Sequence, residues 1–473
     1  MTTDPYKNNQ DDIKVLLKHF ENLRNGKSSV FLEEESFEQI VDYFDEQEDF
    51  TRALEAAEIS IEYFPFSSSL LIRHADILLS LRKYHEALES LNKAETFDGT
   101  DINLYILKTD AYLALDKQSK AVTVLEDAIG RFEGEEKIEL LFELADVYDD
   151  YEEFDKVFDC LMLILQDSPA NEEALYKICF WTDFTGRNEE SIRLHLSIID
   201  ETPYNELAWF NLGAAYQGLK LYEKAIDAYQ YAIVIDEKFD YAYRNIGDAF
   251  IRLRNYKEAI EALEKVLELS KPEEVIYEAI GHCYDKMKNY AQARFHYRKA
   301  SHLNPDDSKL YYKIASTYYN EQHYTSAIKQ IESALKIHRL QAEYNLLAGE
   351  CKLRLRLYKE AIHYFSTVVR TKPKNVAGWE ALIRCLLSAQ YYTEAKQQIL
   401  AALDHTNSKP IFIYYLSSVL FALGKSKEGL IQLERGIKLS PKILNKFVAL
   451  HPSILQNQSV VDIIARNKRG RAK

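Results

Sequence analysis

A pattern of bulky and small residues recurs every 34 positions along most of this chain, and that period limits the fold more than any other feature. It is plainest in "WFNLGAAYQGLKLYEKAIDAYQYA", Trp209 to Ala232, where Trp209, Leu212, Gly213 and Tyr216 are followed by Ala225 and Tyr229. One period later stand Tyr243, Ile246, Gly247, Phe250, Ala259 and Leu263; the next brings Tyr277, Ile280, Gly281, Tyr284, Ala293, Tyr297 and a closing Pro305. With Trp209 at position four, units start at residues 34, 68, 102, 138, 172, 206, 240, 274, 308, 342, 376 and 410. The one longer step, between 102 and 138, places two extra residues in a loop around "RFEGEEK".

At 100° per residue, positions four, eight and eleven share one stripe of a first helix, where bulky side chains meet a small residue that lets a second helix come close. Position twenty is the matching close contact on the second helix. It is alanine in nine units, with Val157, Ser191 and Gly429 the departures. Proline recurs at position thirty-two (Pro65, Pro169, Pro203, Pro305, Pro373 and Pro441), between the end of one helix and the start of the next. The unit is helix, turn, helix, turn. One such pair cannot bury its apolar stripe, whereas a stack of pairs buries a continuous core.

On these residues the chain resembles the tetratricopeptide repeat (TPR) family from residue 34 to 441, in the manner of stand-alone bacterial multi-TPR proteins. The resemblance implies an all-α, right-handed superhelical solenoid of about twelve helix-turn-helix repeats, with first helices lining a concave groove. Residues 1–33 are expected to form a tail and a capping helix ("DDIKVLLKHFENLRNG"). Residues 442–473 are expected to form a helical cap, broken near Pro452, and a short basic tail "NKRGRAK".

Composition fits a folded, soluble chain, 47% hydrophobic and 28% charged. No signal-peptide pattern or long apolar run is present, so a cytoplasmic location without a membrane span is expected. Five scattered cysteines lack any CxxC pair and read as small packed thiols. "GKS" at 26–28 and 424–426 lacks the upstream glycine of a phosphate loop, with Glu21 and Val419 in that place. His282, His296 and His302 fall on different helix faces, and no carboxylate pair stands out for acid–base work. The chain is therefore expected to be no enzyme and to need no cofactor or metal.

Function is expected on the face the packing stripe leaves free: positions two, five, six, nine, twelve and thirteen of the first helix. Position nine is Asp42, Asp76, Asp110 and Asp146 in the first four units, with Glu143 and further carboxylates around them. The middle of the groove offers the aromatics Tyr176, Phe180, Phe184, Phe210 and Tyr241, with Asn211 and Asn245 at position six; asparagines there resemble the ladder that holds peptide backbone in some TPR grooves. Later units carry Arg244, Arg252, Lys309, Lys313, Arg354 and Arg384. Net charge is −30 over residues 1–250 and +15 over 251–473.

An acidic wall draws a positive segment and aromatics beside it anchor apolar side chains. The sequence thus points to a non-catalytic adaptor or scaffold that holds a protein or peptide partner with a basic segment. The alternative is self-association, acidic half against basic half, into an assembly. A second alternative is a nucleic-acid binder using residues 251–473; for the short basic tail, no RNA-binding fold or interleaved aromatics support such a role.

Overall fold

Each helix pair closes on a tight left-handed turn, and that turn sets the angle of everything after it. In the computed structural model, which describes residues 5–25, 31–450 and 455–469, position fifteen of all twelve units has positive φ. Glycine occupies it only at Gly186 and Gly424; the other ten residues, among them Arg82, Lys220 and Gln390, have φ of 55–64°. The following N–H reaches back to the carbonyl of position eleven, as in Lys83 N to Leu78 O (2.8 Å) and Leu221 N to Tyr216 O (2.9 Å), so the last carbonyls of the first helix are satisfied.

The described residues form 27 helices and no strand. First helices begin at Glu34, Ser68, Ile102, Gly134, Glu172 and Glu206 in one compact unit, Met1–Glu237. They begin at Asp240, Glu274, Ser308, Ala342, Val376 and Pro410 in a second, Lys238–Lys473. We number these pairs one to twelve. Eleven starts coincide with the 34-residue register. The exception is pair four, where the extra residues do not make a longer loop. They lengthen the helix to Gly134–Asp150, with Glu135 and Glu136 in its first turn, where the helix dipole favours acids.

Inside a pair, small position eight receives the side chain of position twenty-four. A Cβ added to Gly213 would stand 2.6 Å from the Tyr229 ring, and one added to Gly349 would stand 2.5 Å from Phe365. Tyr229 and Phe365 are fully buried by that approach. The cysteines are free thiols, four of them buried; burial pushes Cys160, Cys283 and Cys351 up to about 12, so they stay protonated. Ahead of pair one, helix Pro5–Arg24 turns Phe20 into the core against Phe44 (6.2 Å between ring centres). After pair twelve, helix Gln458–Arg469 buries Val460 and Ile463. The first "GKS", the Pro452 break and the end of the basic tail lie outside the described residues.

Pair five departs from the others. Position twenty is Ser191, position eleven is Thr182 and position twenty-four is His195, so apolar packing gives way to a buried polar chain. Thr182 Oγ1 donates to Ser191 Oγ (3.1 Å), and His195 Nδ1 donates to the Ser191 carbonyl (2.7 Å). With Nδ1 protonated, Nε2 is an acceptor buried without a partner. Burial holds His195 neutral, pushed down to about 4 against the opposing pull of that hydrogen bond.

Candidate partner-binding site

The four position-nine aspartates stand exposed on the first helices of pairs one to four, and those helices touch in succession. Protein crowding on their flanks, followed by neighbouring carboxylates, raises Asp76 above the usual carboxylate range; the neighbours are Asp45, Asp110 and Asp42. Glu143 is raised in the same order of causes, with Asp110, Asp146 and Glu139 as its neighbours and Lys177 opposing. Asp110 and Asp146 are raised first by burial as well. The carboxylates from pair one to pair four thus form one electrostatically continuous wall.

Two cations already stand in it. Arg73, at position six of pair two, places Nε 2.8 Å from Asp42 Oδ1 and Nη2 3.2 Å from Oδ2, with Glu38 3.5 Å from Nη1. Lys177, at position six of pair five, lies 2.9 Å from Glu173 and 4.0 Å from Asp146. The sequence reading passed over both, although the same position arithmetic puts them on this face.

Between pairs four and five the wall deepens into a cavity of about 520 Å³. Five carboxylates line it, Glu135, Glu139, Glu143, Asp146 and Glu173, against the single cation Lys177. The helix that supplies Glu173 and Lys177 also carries exposed aromatics. Tyr176, Phe180 and Phe184 are each more than half exposed, at 63%, 61% and 56%. Phe180 and Phe184 stack (5.9 Å), and Trp181 joins them edge-on at 5.0 and 5.6 Å. Phe154 of pair four stacks on Trp181 (5.4 Å). Trp181 and Phe154 were missed from sequence because neither falls on a groove position; the run "FWTDF" was the available signal.

The remaining candidates separate. Phe210 is half-buried against Tyr229 (5.5 Å between ring centres). Asn211 is 3% exposed, and its Nδ2 donates to the Leu175 carbonyl of the preceding pair (2.8 Å), so its amide joins two pairs. Tyr241 and Asn245 belong to the second unit: Tyr241 is exposed, with Arg244 over its ring at 6.0 Å, and Asn245 is half-buried. Some cations of the second unit are paired at home, as in Arg244 with Glu273 (2.8 Å), Lys313 with Glu278, and Arg384 with Glu350.

Glu274, Glu278 and Asp307 bring their carboxylates within 4.8 Å of one another. Lys313 and Asn304 already occupy that trio from Glu278 and Glu274, and it serves the fold. His296 is packed against Tyr284 (5.4 Å) and pushed down to about 4 by burial.

Residues 39–102 and 346–410 match the family described as Tetratricopeptide repeat, and residues 211–346 match the Tetratricopeptide repeat protein 21 C-terminal ARM domain. The chain is a tetratricopeptide-repeat protein. Among solved structures it is similar to the C-terminal part of a TPR repeat-containing protein from Cytophaga hutchinsonii, at 16% identity over 54% of this chain and 99% of that one, with a TM-score of 0.45. It is also similar to the Cut9–Hcn1 hetero-tetramer of the APC/C, at 15% identity over 87% and 94% with a TM-score of 0.35. A third is YrrB, described as a TPR protein with an unusual peptide-binding site, at 19% identity over 40% and 96% with a TM-score of 0.36. No curated protein sequence matches the chain. TPR proteins bind protein partners. Among the described residues of this one, no helix is long and apolar enough to cross a membrane.

Proposed function

We propose that this TPR protein is a non-catalytic adaptor whose first unit holds a partner by a basic segment that ends in an apolar anchor. The observation that carries this is the cavity of pairs four and five, five carboxylates against one lysine, with the exposed Phe180–Phe184 stack on the same helix as its Glu173 and Lys177. Carboxylates left short of partners focus a negative potential that steers and orients a Lys/Arg-bearing chain. Exposed rings beside them supply the apolar burial that gives such a contact most of its affinity. Helices Pro5–Arg24 and Gln458–Arg469 act as end caps of the stack in this reading.

The test is affinity capture followed by mass spectrometry, comparing the intact protein with Glu143→Lys/Asp146→Lys and with Phe180→Ala/Phe184→Ala. Circular dichroism establishes that both variants fold. A partner recovered by the intact protein and lost by both variants supports the reading. Recovery that neither variant changes removes the first unit as the site. The charge split favours a second reading, self-association: the first unit totals −30 and the second +15, with the boundary at Glu237. Sedimentation at low and high salt decides it, because only oligomers that dissolve with salt support assembly.

A further inference from the structure

In pairs three, six and eleven, position four closes the joint to the pair before it, and it does so in two ways at once. Its polar tip donates to the carbonyl six residues upstream: Tyr105 Oη to Gly99 O (3.0 Å), Trp209 Nε1 to Pro203 O (2.9 Å), and Trp379 Nε1 to Pro373 O (2.7 Å). Its ring meanwhile fills the space beneath that bond, and Trp379 is only 4% exposed as a result. Pair ten has Asn345 in this place. The amide keeps the hydrogen bond, with Nδ2 2.9 Å from the Arg339 carbonyl, and brings no ring.

The space is left open. Asn345 lines a cavity of about 930 Å³ with Leu335, Leu340 and Tyr364 on its apolar side and Lys336, Arg339 and Arg370 around it. Leu340 is 57% exposed, an uncovered apolar surface at the rim. Glu332 is the one carboxylate among the lining residues. Among the described residues no ion pair engages Lys336, Arg339 or Arg370, whereas nearby Arg294, Lys352 and Arg384 each hold a glutamate. The cluster therefore combines free positive charge with an unfilled apolar floor, and it lies wholly in the second unit, independent of the acidic wall.

We propose that this cavity is a docking site for an acidic peptide segment of a partner protein, one that presents an apolar side chain between carboxylates. The apolar side chain takes the place that the position-four ring takes in pairs six and eleven, over Leu335, Leu340 and Tyr364. The flanking carboxylates meet Lys336, Arg339 and Arg370, where charge-assisted pairs are strong and arginine can bind bidentately. A peptide with charge alone satisfies only half of the site.

The experiment uses the full chain and fluorescein-labelled peptides of the form Glu-Asp-X-Glu-Asp, with X as phenylalanine, leucine or glycine, read by anisotropy. Phenylalanine or leucine at X is expected to bind at least about tenfold more tightly than glycine, as burial of one side chain allows. Asn345→Trp restores both the ring and its bond and is expected to remove that preference while the melting temperature holds or rises. Arg339→Glu/Arg370→Glu, two exposed positions that leave the core untouched, is expected to abolish binding of all three peptides. Three outcomes each overturn the proposal: no binding of any peptide, equal binding whatever X is, or binding that Asn345→Trp leaves unchanged. Inorganic pyrophosphate competing as strongly as the phenylalanine peptide would assign the cavity to a small anion and overturn it too.

Discussion

Arg73 holds Asp42 with two parallel hydrogen bonds across 31 residues of sequence, so the first rung of the acidic wall is neutralised from within. The four position-nine aspartates are consequently unequal. Asp42→Asn is expected to change the affinity of a basic partner segment by less than about twofold, whereas Asp76→Asn or Asp110→Asn lowers it about three- to tenfold. Titrations of the three variants at one salt concentration measure this. Arg73→Ala should move the other way and tighten binding by exposing Asp42 and Glu38.

The same wall works against the fold. Asp76 and Asp110 are raised from the ordinary value of 3.8, first by burial, with neighbouring carboxylates adding at Asp76. Their ionisation therefore costs stability at neutral pH, and the cost disappears as pH falls through the raised range toward that ordinary value. Asp76→Asn/Asp110→Asn is expected to raise the stability of the first unit at pH 7 by about 0.5 kcal/mol, discounted for exposure. The gain over the unaltered protein should shrink toward zero near pH 4. Thermal melts of both proteins at pH 7 and pH 4 test it, and a gain independent of pH would contradict this account.

Position fifteen offers a stability gain that touches no partner site in the first unit. Lys220 and Gln390 sit at φ of 62° and 61°, where a Cβ crowds the following carbonyl. Lys220→Gly or Gln390→Gly should each stabilise by about 0.5–1 kcal/mol, and Gly186→Ala, starting at φ of 73°, should destabilise by a similar amount. Urea unfolding at constant m-value is the measurement.

His195 makes pair five acid-sensitive. Its pKa is pushed from 6.5 down to about 4 by burial, so the unfolded chain binds a proton that the folded chain refuses. The associated stability is complete above pH 6.5 and is lost as pH falls to 4, a change of about 3 kcal/mol. His195→Leu, the residue type that Leu161 and Leu263 supply at the same position, should flatten the fall in melting temperature over that window. An unchanged slope would place the acid sensitivity elsewhere.

The joint that repeats in every pair was legible from residue order alone. The Gly213–Tyr229 approach, the register of eleven first helices and the exposed face bearing Asp42, Asp76, Asp110 and Asp146 follow from a period of 34 and the pitch of a helix. Such contacts are written into the sequence as many times as they occur, so periodicity averages out the exceptions.

The exceptions are what only the tertiary structure decided. Whether Arg73 reaches Asp42, whether Asn211 faces a partner or the Leu175 carbonyl, and whether Tyr241 shares a unit with Phe180 depend on how one pair lies on the next. Asn345 is the sharpest case. In the sequence it is a lapse from a position that is aromatic or aliphatic in every other unit; in the fold it keeps the hydrogen bond of Trp379, omits the ring, and opens a cavity among three free cations. A period reports which contacts recur, whereas charge pairing and empty volume arise from single side chains that only packing in three dimensions brings together.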